Sequence, residues 1–175
     1  MIRFLVLSGV AALFLATNAP ARAQPATSAP STSQFITAAL QTDNFERQAG
    51  RLAQTAGRYR NVRSFGGMMV TDHTKTTADL RAAIMAAGLP APPADVGLSA
   101  DQEQMLNSLR YLVAMPDFDA TYIDQQVKVH QQAQALMQAY SQSGDNAVLR
   151  NAATNTLPIV QRHLMVAQEI KQSLP

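Results

Sequence analysis

The chain has 175 residues, long enough for one domain with its own core, and contains no cysteine, which excludes disulfides, thiolate metal sites and a lipid-anchored cysteine. Lys and Arg number 14 against 12 Asp and Glu, but Arg3 and Arg22 lie in a segment expected to be removed, leaving 12 against 12. A neutral mature chain argues against nucleic acid as a partner.

The segment in question opens on Met1-Ile2-Arg3, continues through an apolar run from Phe4 to Ala16, and ends in Ala21-Arg22-Ala23. This is the pattern of a secretory signal cleaved after Ala23, with Ala19-Pro20-Ala21 as a weaker site. The run falls short of the roughly 20 residues a membrane span needs. The mature chain is therefore expected in the periplasm or secreted, with no transmembrane span. Residues 24–33 (QPATSAPSTS) lack apolar periodicity and read as a flexible tether, so the folded domain is expected over 34–175.

Ala, Leu, Val, Met and Gln dominate the remainder, a composition that favours helices. Phe35, Ala38, Thr42, Phe45, Ala49, Leu52, Ala56 and Tyr59 recur at steps of three and four and predict helix A, ending near Gly57–Asn61. Helix B is expected from Val62 to Ala87 along Val62, Gly66, Met69, His73, Leu80 and Ile84, stopped by Gly88 and the prolines at 90, 92 and 93. Gly66-Gly67 lowers helix propensity and implies that another helix packs closely there.

A Pro-rich connection from Leu89 to Leu98 leads to a short helix over 100–113, capped by Ser99 with Gln102 placed for a capping box. Asp117 is positioned to cap helix C (Phe118–Tyr140), and Asp145 to cap helix D, in which Pro158 is expected to force a kink or restart. Short A–B and C–D turns with a long B–C connection predict an all-α, ferritin-like four-helix bundle whose crossover carries the extra short helix.

The three histidines, His73, His130 and His163, each fall on the apolar stripe of a different helix. Buried imidazole is costly without a partner, and facing bundle helices are where metal sites are built. Glu46 joins them as a candidate, since its small neighbours leave room for a carboxylate to turn inward. Counted from Arg60, Glu46 lies 14 residues before and His73 13 after, so the two should stand level. His130 and His163 fit less well: counted from a turn at 141–144 they differ by roughly 10 Å in height. Asp72 is expected to point away from His73, towards solvent or Arg81. Asp119 and Tyr122 lie on the face leading to His130, although Asp119 also suits a helix N-terminus. Met69 near His73 and Met165 near His163 raise copper(I) as a further reading. The cluster Arg47, Arg51, Arg58, Arg60 and Arg63 reads as a solvated basic face. No nucleophile triad or phosphate loop stands out.

The segments DNFERQAGRLA, VRSFGGMMVTDHTKTTADLRAAIMAAGLP, FDATYIDQQVKVHQQAQALM and NTLPIVQRHLMVAQEI occur in this order. Over Phe35 to Ile170 they resemble the bacterial exported family called domain of unknown function 4142. The resemblance implies a ferritin-like bundle in the periplasm or at the outer membrane, and no activity. It also implies that Glu46, Asp72-His73, Phe118-Asp119, Tyr122, His130, Leu157-Pro158 and His163 carry the recurrent polar and turn residues. The wider ferritin-like class holds two metals with Glu-x-x-His pairs; the corresponding positions here are Val70, Val127 and Val160, which argues against a di-iron centre. Three functional expectations follow: a non-catalytic binding or envelope-stress protein with an unidentified protein or envelope partner; a mononuclear site for a divalent transition metal using Glu46 and the histidines; and a metal-dependent oxidoreductase.

Overall fold

The computed structural model describes residues 30–175; the signal segment, its cleavage after Ala23 and most of the tether lie outside them. Five helices follow in order: α1 (Thr32–Ala56), α2 (Arg60–Ala86), α3 (Ala100–Leu112), α4 (Phe118–Ser143) and α5 (Ala147–Ser173). Helix α1 begins inside the stretch read as tether, because Ser31 and Gln34 form a reciprocal capping box. Ser99 and Gln102 do the same for α3, as expected.

The tight pairs are α1–α2 and α4–α5, each joined by a short turn. Ties at the helix ends fix how the pairs meet. Asp119, at the start of α4, accepts from the backbone N–H groups of Arg58 and Tyr59 just past the end of α1, at 3.0 and 2.8 Å. At the other end, the Thr32 hydroxyl meets Tyr140 at 2.6 Å and also bonds Asp145. Helix α4 is therefore antiparallel to α1. Asn61 and Ser173 join the start of α2 to the end of α5, making that pair antiparallel as well. Helices α2 and α4 then run parallel, so the chain must return the length of the bundle between them. The crossover does this along α1: Asn44 holds Asp95 and Val96, while α3 packs on α1 and α4. This is the predicted ferritin-like arrangement.

Local details differ from expectation in instructive ways. Asp117 makes no side-chain cap, and Asn146 rather than Asp145 caps α5, leaving Asp145 free for Thr32 and Tyr140. Helix α5 does not restart at Pro158. Pro158 and Thr154, four residues earlier, both lie on the solvent face, so water can satisfy the carbonyl that the proline leaves without a donor.

Gly66 does mark a close approach. A Cβ there would lie 2.6 Å from the Gly50 carbonyl oxygen, and one at Gly50 would lie 2.7 Å from the Gly66 oxygen. Mutual glycines let α1 and α2 nearly touch about two turns from His73. The core divides into two clusters, one around Phe45, Met69, Phe118 and Tyr122 and the other around Phe35, Leu80, Tyr140 and Leu149. Asp43 and the three histidines lie between them.

Candidate metal centre

His73 from α2, His130 from α4 and His163 from α5 meet in the bundle interior, 3%, 1% and 0% exposed. Their ring centroids are 5.3 to 5.7 Å apart. One nitrogen of each ring lies within 4.8 Å of one nitrogen of each of the others.

The height mismatch expected for His130 and His163 is absent, for two reasons. Helix α4 continues to Ser143, which moves the turn to Asp145, so the two histidines lie 15 residues before and 18 after it. Side chains on both helices also tilt towards their own N-termini, which carries His130 away from the turn and His163 back towards it. The same geometry corrects the level of His73. With α1 ending at Ala56 and α2 starting at Arg60, the turn centres on Arg58, and the residue level with His73 is Asp43.

Each imidazole has one nitrogen held by an acceptor. His73 Nδ1 donates to Asp43 Oδ1 at 2.8 Å, His130 Nδ1 to the Gln126 carbonyl at 2.9 Å, and His163 Nε2 to Asp72 Oδ2 at 2.9 Å. Carboxylate and carbonyl oxygens only accept, so these nitrogens carry the protons, and in the neutral rings the opposite nitrogens keep their lone pairs. Those opposite nitrogens (Nε2 of His73, Nε2 of His130 and Nδ1 of His163) are buried and without hydrogen-bond partners. Asp43 is itself fixed by the Thr76 and Thr77 hydroxyls at 3.0 and 2.9 Å. Sequence reasoning passed over Asp43 because it set the A–B turn two residues too late. Asp72 does not turn towards Arg81; it spans to α5 and binds both His163 and Arg162.

Glu46 is fully buried on α1, with both carboxylate oxygens unpartnered. Its closest approach to a histidine nitrogen is 3.8 Å, to Nδ1 of His130, the nitrogen already engaged by Gln126. Glu46 therefore stands behind the His130 ring, next to the triad and outside the three converging atoms. Burial raises its pKa to about 7, against the lowering pull of His73 and of the Gln126 amide, which stops short of a full hydrogen bond. Tyr122 and Gln126, both fully buried beside it, also carry unpartnered polar atoms. Burial pushes the Tyr122 hydroxyl well above its ordinary range, with the Glu46 charge adding to the shift. Asp119 lies in the first turn of α4, as its sequence position suggested, and its carboxylate is committed to the backbone N–H groups of the α1–α2 turn. Met69 is buried in the core, and Met165 is half exposed, away from any interior ligand set.

The histidines titrate apart. Burial lowers His130 to about 3, reinforced by His73 and His163. Burial likewise lowers His163 to about 4, against the hydrogen bond to Asp72. For His73 burial also acts downward, but the Asp43 hydrogen bond and the charges of Asp43, Glu46 and Asp72 outweigh it, so its pKa is raised.

The fold and this centre define a class: a ferritin-like helical bundle whose interior gathers three oriented imidazoles, with carboxylates kept to an outer layer. The chain belongs to the DUF4142 family, a domain of unknown function, whose family model matches residues 16–170. The solved structure of CopM in the Cu(II)-bound form shares the fold, with a TM-score of 0.67 at 12% identity over 83% of this chain and 98% of that one. No curated protein matches by sequence. Among the described residues, no helix is long and apolar enough to cross a membrane.

Proposed function

We propose that this protein is an exported, non-catalytic bundle that binds one divalent transition-metal ion through His73, His130 and His163. The observation that carries this reading is the convergence of the three buried rings, one nitrogen of each within 4.8 Å of one nitrogen of the others, with each ring keeping a buried nitrogen without a partner while its other nitrogen is already fixed. Histidine ligands are typically oriented in this way, by a carboxylate or carbonyl on the far nitrogen. Two nitrogens bound to one tetrahedral ion at 2.0–2.1 Å would stand about 3.3 Å apart. Loading therefore needs the rings to draw together by about 1.5 Å at most, a side-chain adjustment.

Neutral imidazoles suit copper(II), zinc and nickel, with copper(II) bound most tightly of the divalent series. The Cu(II)-bound state of the structural neighbour makes copper(II) the first ion to test. Glu46 lies close enough to balance charge and is assigned that role ahead of direct ligation. The cavity beside His73 and Asp43 is about 10 Å³, which leaves no room for an organic substrate and favours binding over turnover. Export rests on the signal pattern of residues 1–23, with residues 24–33 as the tether.

The test is elemental analysis of tag-free protein, stripped with chelator and reconstituted separately with copper(II) and zinc. One equivalent per chain, lost in His130→Ala, is expected. Well below one equivalent with every ion would overturn the proposal.

A further inference from the structure

A centre this deeply buried needs a route by which an ion can reach it. The tight pairs α1–α2 and α4–α5 leave two wider seams, α1–α4 and α2–α5. Helix α3 packs on α1 and α4 and covers the first. The second is bridged, at the level of the histidines, by a polar chain. Arg162 donates to Asp72 Oδ2 at 2.7 Å, and His163 Nε2 donates to the same oxygen at 2.9 Å. The Arg162 side chain is 55% exposed, that of Asp72 25%, and that of His163 0%. The chain thus leads from solvent to a ring whose opposite nitrogen, Nδ1, is one of the three unpartnered atoms of the centre.

We propose that Asp72, Arg162 and His163 form the gate through which the ion reaches the centre, with Asp72 as the carboxylate on which an incoming cation first docks and Arg162 as the bolt. This rests on the metal-binding reading above. When Arg162 swings out, Asp72 is left with an uncompensated negative charge facing solvent and in contact with His163. A cation drawn there lies one imidazole width from the interior site. While Arg162 is in place, its positive charge both neutralises Asp72 and repels the ion. Arg162 is therefore a positioning residue for access, and the occupied site does not need it.

The experiment follows cobalt(II) chloride loading of metal-free, full-length mature protein by stopped-flow visible absorbance, at low and high ionic strength. Arg162→Gln should load about tenfold faster, the factor expected for losing one charged hydrogen bond at a partly exposed position, with unchanged stoichiometry. The acceleration should persist at high salt, where long-range charge effects are screened. Arg162→Lys should load at the wild-type rate and Asp72→Asn more slowly. Arg110→Gln removes the same charge from exposed α3, on the covered side of the bundle, and should change nothing. Normal stoichiometry with equal rates for wild type and Arg162→Gln, or equal acceleration by Arg110→Gln, overturns the gate. Asp72→Asn loading to the wild-type extent at the wild-type rate removes the docking role. Absence of cobalt absorbance in the wild type at equilibrium instead overturns the metal site, and the gate with it.

Discussion

Glu46→Gln tests whether the interior is held for binding at the expense of stability. The wild-type carboxyl is raised from its ordinary 4.5 to about 7 by burial. Below pH 4.5 it is neutral in both folded and unfolded chains and costs nothing. As pH rises from 4.5 to 7 the unfolded chain ionises first, so the folded state loses stability over that window. The loss is fully present above pH 7 and amounts to roughly 3 kcal/mol. Glutamine has the same shape and no charge to desolvate, and its amide can donate to the unpartnered Gln126 and Tyr122 oxygens. Metal-free Glu46→Gln is therefore expected to be more stable than wild type by up to about 3 kcal/mol at pH 8, with the gain vanishing near pH 4.5. Urea unfolding in the presence of chelator measures this as a midpoint shift of about 1–2 M at unchanged slope. A variant that is equally or less stable at pH 8 would refute the assignment of Glu46 as a buried, uncompensated carboxylate.

Three further outcomes are expected. Metal-free wild type should lose stability as pH falls from 6.5 to 4.5, because unfolded His130 and His163 protonate while the folded rings resist until about 3 and about 4. The two rings together cost roughly 5 kcal/mol over that window, partly offset by protonation of Glu46, so urea midpoints should fall more steeply in Glu46→Gln than in wild type. Asp43→Asn should leave the fold intact but weaken copper(II) or zinc about 10–100-fold in competition with a chelator of known affinity, because His73 loses the carboxylate that orients it. Gly66→Ala should destabilise by about 1–3 kcal/mol in thermal or urea unfolding, despite the better helix propensity of alanine, because the added methyl meets the Gly50 carbonyl oxygen; Gly67→Ala, with only the flexible Gln54 side chain within 4 Å, should not.

The bundle was legible because its signals are periodic and local. The a/d stripe of α1, the Ser99–Gln102 capping box and the long α2–α4 connection each state a helix, a boundary or a topology within a few residues. The histidine triad was legible only as three rings on three apolar stripes. Whether they meet depends on turn centres to within two residues, since an error of two residues in one turn shifts the relative height of a pair by four residues, about 6 Å. Placing the turns at Arg58 and Asp145 brings His163 close to His130 and puts Asp43, not Glu46, beside His73. Asp72 escaped for a different reason. Its neighbour in sequence, His73, belongs to the same centre, but Asp72 serves His163 on another helix, and no spacing within α2 encodes that contact. The tie from Thr32 to Tyr140 and Asp145 is of the same kind, joining residues more than 100 positions apart.

The way carboxylates are distributed bears on which ions the proposed site would take. In the ferritin-like pattern, a glutamate three residues before a histidine shares its helix face and enters the same coordination sphere. Here those positions are Val70, Val127 and Val160, and the carboxylates come from neighbouring helices to the backs of the rings: Asp43 to His73, Asp72 to His163, and Glu46 towards His130. Moving the acids outward by one imidazole width changes the inner donors from oxygen anions to neutral nitrogen. Hard ions and bridged metal pairs depend on inner oxygen, whereas a single copper(II) or zinc ion does not. The outer acids still act on such an ion, because they fix the rings and place negative charge within reach of its field. The same arrangement that argues against a di-iron centre thus favours a single divalent ion at the proposed site.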